Sequence, residues 1–262
     1  MTMERSEKRE VVRVLDGVSE LTEQLIVKEV PLTIFLNGQK VVTLLTTGES
    51  TRELAVGFLL SEGLMKKSND LLSVDVKGVA GEAHVEVSGD VERVEKLAGR
   101  RVVTSGGGKG TTFHPPLDPL EGKNLSFKVK VPPWRIYSLM EELNELSGLY
   151  RKTGGVHNSA LSEGERILLF RSDIGRHNAV DKIHGAACFD GIPLEDKLLL
   201  TSGRVSSEMV EKALRMGVSL LISRSAPTTL AIDLAVRTGL TLVGFARGNS
   251  MIVYAGRERI DI

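Results

Sequence analysis

Apolar and polar residues alternate through EVPLTIFLNGQKVVTLL, Glu29 to Leu45, and Asn37-Gly38 interrupts the run. A period of two broken by Asn-Gly predicts a β-hairpin with a type I′ turn. Ser50 and Glu53 in STRE have the spacing of a capping box ahead of the apolar ELAVGFLL, which predicts a helix that Gly63 closes. LLSVDV and AHVEVS read as short strands, Asp90 can cap a short helix over VERVEKLAG, and RRVVTS returns as a strand. Residues 21–125 therefore read as a small α+β domain, preceded by a polar, loosely held stretch over 1–20.

Five of the eight prolines lie between residues 114 and 133, which marks a linker. Beyond it, Ile136, Leu139, Met140, Leu143 and Leu146 recur at helical spacing. Short apolar runs, ILLF, KLLLT, VSLLIS and LTLVGF, then alternate with the helical stretches HNAVDKIHGAA, SSEMVEKALRM and TLAIDLAVRT. That alternation predicts a second domain over 126–262, a mostly parallel sheet in a three-layer α/β arrangement.

Composition narrows the function classes. A net charge of zero gives no broad basic field for nucleic acid, and 4% aromatics leave few stacking platforms for bases. No apolar run reaches the ~18 residues of a membrane span, and the charged N-terminus lacks a signal-peptide core, so a cytoplasmic protein is expected. The single cysteine, Cys188, excludes an intrachain disulfide; in GAACFDG it reads as a small buried apolar residue.

In an open α/β sheet, ligands bind beyond the carboxyl ends of the strands. The loops expected there are RSDIGRHN, SGRVSS, SRSAPT and ARGNS, and each carries an arginine: Arg176, Arg204, Arg224 and Arg247. Convergent guanidinium groups suit a phosphate-bearing ligand, and Ser202, Gly203, Ser206, Ser225, Gly248 and Ser250 let backbone amides and hydroxyls approach it. Four solvated arginines at strand ends are the alternative. In TGGVHNSAL, Gly155 permits a tight turn and His157 can donate, accept or ligate, or be a hydrogen-bonded structural histidine. His177 stands four residues from both Asp173 and Asp181, but no cysteine lies near to complete a metal site, and His184 reads as a surface residue. No zinc is expected.

The stretch VTSGGGKGTTF, Val103 to Phe113, is glycine-rich with one lysine, yet Gly110 follows Lys109 where a P-loop needs Ser or Thr. EVPLTIFLNG, TRELAVGFLLSEGL, TGGVHNSAL, SDIGRHNAVDKIHGAA, TSGRVSSEMVEKA, SAPTTLAIDLA and GLTLVGFARGNSMIVY, in this order, resemble the formate dehydrogenase accessory family (FdhD/NarQ). The resemblance implies a cytidine-deaminase-like three-layer domain joined to a smaller N-terminal α+β domain. It also implies sulfur transfer from a cysteine desulfurase to the molybdenum or tungsten bis(molybdopterin guanine dinucleotide) cofactor that formate dehydrogenase receives. By the same resemblance, Phe245, Ala246, Arg247, Gly248, Asn249 and Ser250 match the stretch that contacts the cofactor. A homodimer is compatible with all of this. The family's C-G-x-C-G segment aligns with TSGGGKG, placing Gly107 and Gly110 where its cysteines stand. Glycine carries no thiolate, so two readings stay open: a family-type sulfur carrier, or a cofactor-binding chaperone without the sulfur step. A zinc deaminase, suggested by the implied fold alone, lacks the P-C-x-x-C ligand pair.

Overall fold

The computed structural model describes residues 5–88, 101–103, 111–113, 125 and 130–262. The Asp90-capped helix, most of the proline-rich linker, and Gly107 and Gly110 lie outside these residues.

The stretch expected to be loosely held pairs as a ribbon. Strands β1 (Ser6–Leu15) and β2 (Val18–Val27) run antiparallel across Asp16-Gly17, whose φ values of 50° and 82° are the left-handed pair a tight hairpin needs. A four-stranded sheet follows in the order β4-β3-β6-β5, with β3 (Val30–Leu36), β4 (Gln39–Thr46), β5 (Leu71–Lys77) and β6 (Glu82–Val87). The β3–β4 turn is at Asn37-Gly38, with φ of 46° and 80°, as the dipeptide predicts. Two short strands, β7 (Arg101–Val103) and β8 (Thr111–Phe113), pair antiparallel.

The main sheet has six strands in the order β10-β9-β11-β12-β13-β14. These are β9 (His157–Ser162), β10 (Ile167–Asp173), β11 (Leu198–Thr201), β12 (Leu220–Ser223), β13 (Thr241–Arg247) and β14 (Ser250–Ala255). Only β11, β12 and β13 are parallel; the β9–β10 and β13–β14 hairpins add antiparallel strands at both flanks. The sheet is therefore mixed rather than mostly parallel, because Gly164 (φ 96°) and Gly248 (φ 56°) fold the chain back where a crossover helix would have kept it parallel.

Period-two burial puts a helix layer on each face. Leu199, Leu221 and Leu242 meet α4 (Arg176–Phe189), α5 (Ser207–Met216) and α6 (Thr229–Thr238). Leu198, Leu200, Leu220, Ile222 and Val243 meet Ile136, Leu139, Met140 and Leu143 of α2 (Pro133–Glu145). A short helix, α3 (Gly148–Thr153), leads into β9.

Helix α1 (Thr51–Ser61) is buried all round between the small sheet and α4. Its capping box does not form. Ser50 sits at φ 52° without a capping bond, and Glu53 instead accepts from Arg171 Nη2 at 2.7 Å, a charge-assisted pair stronger than a reach back to its own backbone. α1 and α4 touch backbone to backbone. A Cβ on Gly57 would lie 1.7 Å from the Asp181 carbonyl oxygen, and one on Gly185 would lie 1.9 Å from that of Glu53. Gly57→Ala is expected to destabilise the fold by at least about 3 kcal/mol in urea denaturation. Gly148→Ala, where a Cβ meets nothing within 4 Å, should stay within about 0.5 kcal/mol of the native chain.

Candidate anion-binding cleft

A cleft of ≈ 610 Å³ opens at the carboxyl edge of the parallel strands. Ser202, Arg224, Ser225 and Arg247 reach it from β11, β12 and β13; Gly155, His157 and Asn158 reach it from the start of β9. The opposite wall is supplied by Met140, Leu143 and Asn144 of α2, with Tyr150 of α3. One side is thus cationic and hydroxylic, the other largely apolar.

Strand-end hydroxyls hold these loops. Ser223 Oγ donates to the Gly203 carbonyl at 2.7 Å and accepts from Ser225 N at 2.9 Å. Thr201 Oγ1 accepts from Gly203 N at 3.2 Å, and Ser202 Oγ accepts from Asn158 N at 2.9 Å. Such local side-chain bonds satisfy backbone groups where the ladder ends. Asn144 Oδ1 accepts from Arg224 Nη1 at 2.8 Å and so aims that guanidinium. At the end of β13 a bulge shifts the register between Gly244 and Arg247, and Phe245 adopts φ 51°. Bulges re-aim side chains; here Arg247 lines the cleft while Ala246 is fully buried beneath α2.

Arg176 and Arg204 stand beside this wall. Gly203 lets Arg176 pack close, since a Cβ there would meet Arg176 Cβ at 2.9 Å and His157 Nδ1 at 3.4 Å. Burial first, and then the like charge of Arg204, disfavour the Arg176 cation, a repulsion that an anion between them would relieve. Burial and Arg176 push the His157 imidazole down against the opposing pull of Asp173, so it is neutral at pH 7 and has one donor and one acceptor nitrogen.

Of the residues singled out in the sequence, the cleft gathers Gly155, His157, Ser202, Ser225, Arg224 and Arg247, with Gly203, Arg176 and Arg204 adjoining. Gly248, Asn249 and Ser250 are exposed where β13 turns into β14 and are not among the residues lining the cleft. Asn144, Tyr150 and Asn158 were missed; a polar residue on an otherwise apolar helix face was the available signal for Asn144.

Other sequence readings change. His184 is 6% exposed, not on the surface, and bonds Ser61 at 3.1 Å. Cys188 is half-buried rather than sealed in the core. It lines a separate cavity with Lys66 and Lys67, and burial pushes its thiol up, away from the thiolate. The two carboxylates flanking His177 are engaged by lysines: Asp173 lies 2.6 Å from Lys182 Nζ, and Asp181 lies 2.8 Å from Lys212 Nζ.

The family model described as FdhD/NarQ matches residues 27–261. The chain belongs to the FdhD/NarQ family. It is 40% identical over 252 residues to the sulfur carrier protein FdhD of Bacillus subtilis (strain 168), covering 96% of each chain. It is also 40% identical over 250 residues to that of Staphylococcus aureus (strain MRSA252), covering 95% of this chain and 94% of the other. A crystal structure from Desulfotalea psychrophila, classed as a formate dehydrogenase accessory protein, superposes with a TM-score of 0.82 at 27% identity, over 98% of this chain and 100% of that one. Among the described residues, no helix is long and apolar enough to cross a membrane.

Gly203→Ala should move Arg176 off the cleft edge. We expect inorganic pyrophosphate to bind at least about tenfold more weakly by calorimetry, with stability changed by no more than about 2 kcal/mol.

Proposed function

We propose that this FdhD/NarQ chain serves formate dehydrogenase maturation by holding the molybdenum or tungsten bis(molybdopterin guanine dinucleotide) cofactor as cargo, its phosphates against Arg224, Arg247, Arg176 and Arg204. The observation that carries the reading is this convergence of arginines, aimed by Asn144 and a bulge, opposite an apolar wall. Guanidinium groups and strand-end amides match phosphate oxygens, and Met140, Leu143 and Tyr150 suit a ring system. The two helix layers around a sheet with a parallel centre fit a cytidine-deaminase-like domain, and a cytoplasmic setting fits a protein that meets apoenzymes before export or assembly.

Relatives are named sulfur carriers, and that role needs a thiolate. In this chain the position aligned with the family's first loop cysteine is Gly107. Cys188 lies twelve residues from Arg176 on α4, about 18 Å at the helical rise. It is remote from the cleft, and its thiol is pushed up rather than down. We therefore favour cofactor holding without a persulfide step on this chain, with the cysteine desulfurase delivering sulfur to a family-type carrier elsewhere.

Arg247→Glu should weaken GDP binding well over tenfold in calorimetry, because reversing a charge against a phosphate costs about 2–5 kcal/mol. Unchanged binding with the fold intact would remove the cleft from the proposal. Labelled sulfur from a cysteine desulfurase, followed by mass spectrometry, should load the native chain and Cys188→Ser equally little. Gly107→Cys should gain a labelled persulfide. Robust loading of the native chain at Cys188 would restore the sulfur-carrier reading.

A further inference from the structure

His177 is the second residue of α4, next to Arg176, and its side chain is 21% exposed. Both ring nitrogens are nevertheless buried, and neither makes a hydrogen bond. Nε2 stands 3.4 Å from Glu208 Oε2 in the first turn of α5. The charged and titratable groups that face the ring come from each packed element: Arg176 from α4, His157 from β9, Arg204 from the loop after β11, and Glu208 and Lys212 from α5. Burial, then Lys212, Arg176, His157 and Arg204, push the imidazole down to about 3. A neutral ring beside a carboxylate is an ion pair lacking only a proton. Two of the cations that withhold that proton, Arg176 and Arg204, are the ones that adjoin the anion cleft.

We propose that His177 is a positioning residue coupled to ligand charge: an anion seated on Arg176 and Arg204 offsets part of the field that keeps its ring neutral, so that in acid the bound protein takes from solvent a proton that the free protein refuses, and the imidazolium donates to Glu208, fixing the N-terminus of α4 to that of α5. This rests on the anion-binding reading of the cleft and not on the identity of the anion. The sign follows from linkage. Binding takes up a proton, so affinity rises as pH falls, by up to about tenfold per unit between the bound-state value and the free value.

Sulfate stays a dianion across the titration range, so it is the probe. The Cε1–H signals of the histidines are titrated by NMR in chloride and in sulfate at equal ionic strength, with assignments from His→Gln variants. We expect His177 to titrate at least one unit higher in sulfate. The rise should survive in His157→Gln and shrink in Arg176→Gln and in Glu208→Gln. Identical His177 titrations in the two salts, or a rise confined to His157, would overturn the coupling. If GDP fails to bind but sulfate still moves His177, the nucleotide reading falls and the coupling stands. If GDP binds while sulfate leaves His177 unmoved, the reverse holds.

Discussion

Where α1 crosses α4, two glycines leave no side chain between the helices, and the Gly57 backbone lies against the Asp181 carbonyl while Gly185 lies against that of Glu53. Several of the contacts that join the small sheet to the large one lie beside this crossing. It brings the end of β4 to Asp173, whose carboxylate accepts from Thr46 Oγ1 and Asn178 Nδ2 while pairing with Lys182. It brings Glu62, just past α1, to Lys212 on α5, which also holds Asp181. Buried pairs of this kind add little net stability, because desolvation offsets attraction, yet removing one partner costs about 3–5 kcal/mol. They penalise any other docking of the two units, so a crossing that only glycine permits is also the one that matches Lys182 with Asp173 and Lys212 with Asp181 and Glu62.

α4 then serves two ends. Its last turn carries Cys188 toward the cavity beside Lys66 and Lys67, and its first turn carries Arg176 and His177 to the cleft edge. A rigid helix packed at its middle against α1 cannot move one end independently of the other. That makes the distance between the lone thiol and the arginines a fixed property of the fold rather than something a loop could close.

Much of this was legible. Asn37-Gly38 gave the β3–β4 hairpin because only a few residues tolerate positive φ at both turn positions. The arginine loops could be placed because the strand–loop–helix alternation sets which ends of the strands face one way. What was not legible depended on partners distant in sequence. Glu53 left its capping box for Arg171, 118 residues away. His184 was drawn inside by Ser61, and Ala246 was turned into the core by a bulge that no local pattern announces. The ribbon over Ser6–Val27 has no buried face to announce it, since most of its side chains stay exposed, Val12, Val14, Leu15, Val18 and Leu21 included.

The cleft itself is built to be stiff where it is cationic. Phe245 holds a positive φ, which costs about 1–2 kcal/mol for a residue with a Cβ, and its N–H is retained by the Ser225 carbonyl at 3.1 Å. The Arg224 N–H is held by Thr201 O at 3.1 Å, and Gly203 is pinned at both its amide and its carbonyl. With the backbone tied down, the guanidinium groups cannot escape one another by loop motion, and the repulsion felt by Arg176 from Arg204 remains in the structure. Opposite charge arriving between them relieves that repulsion further than Glu208 already does. A loop free to splay would relax before the ligand came and leave it less to gain, so the strand-end hydroxyls contribute to anion affinity without having to touch the anion.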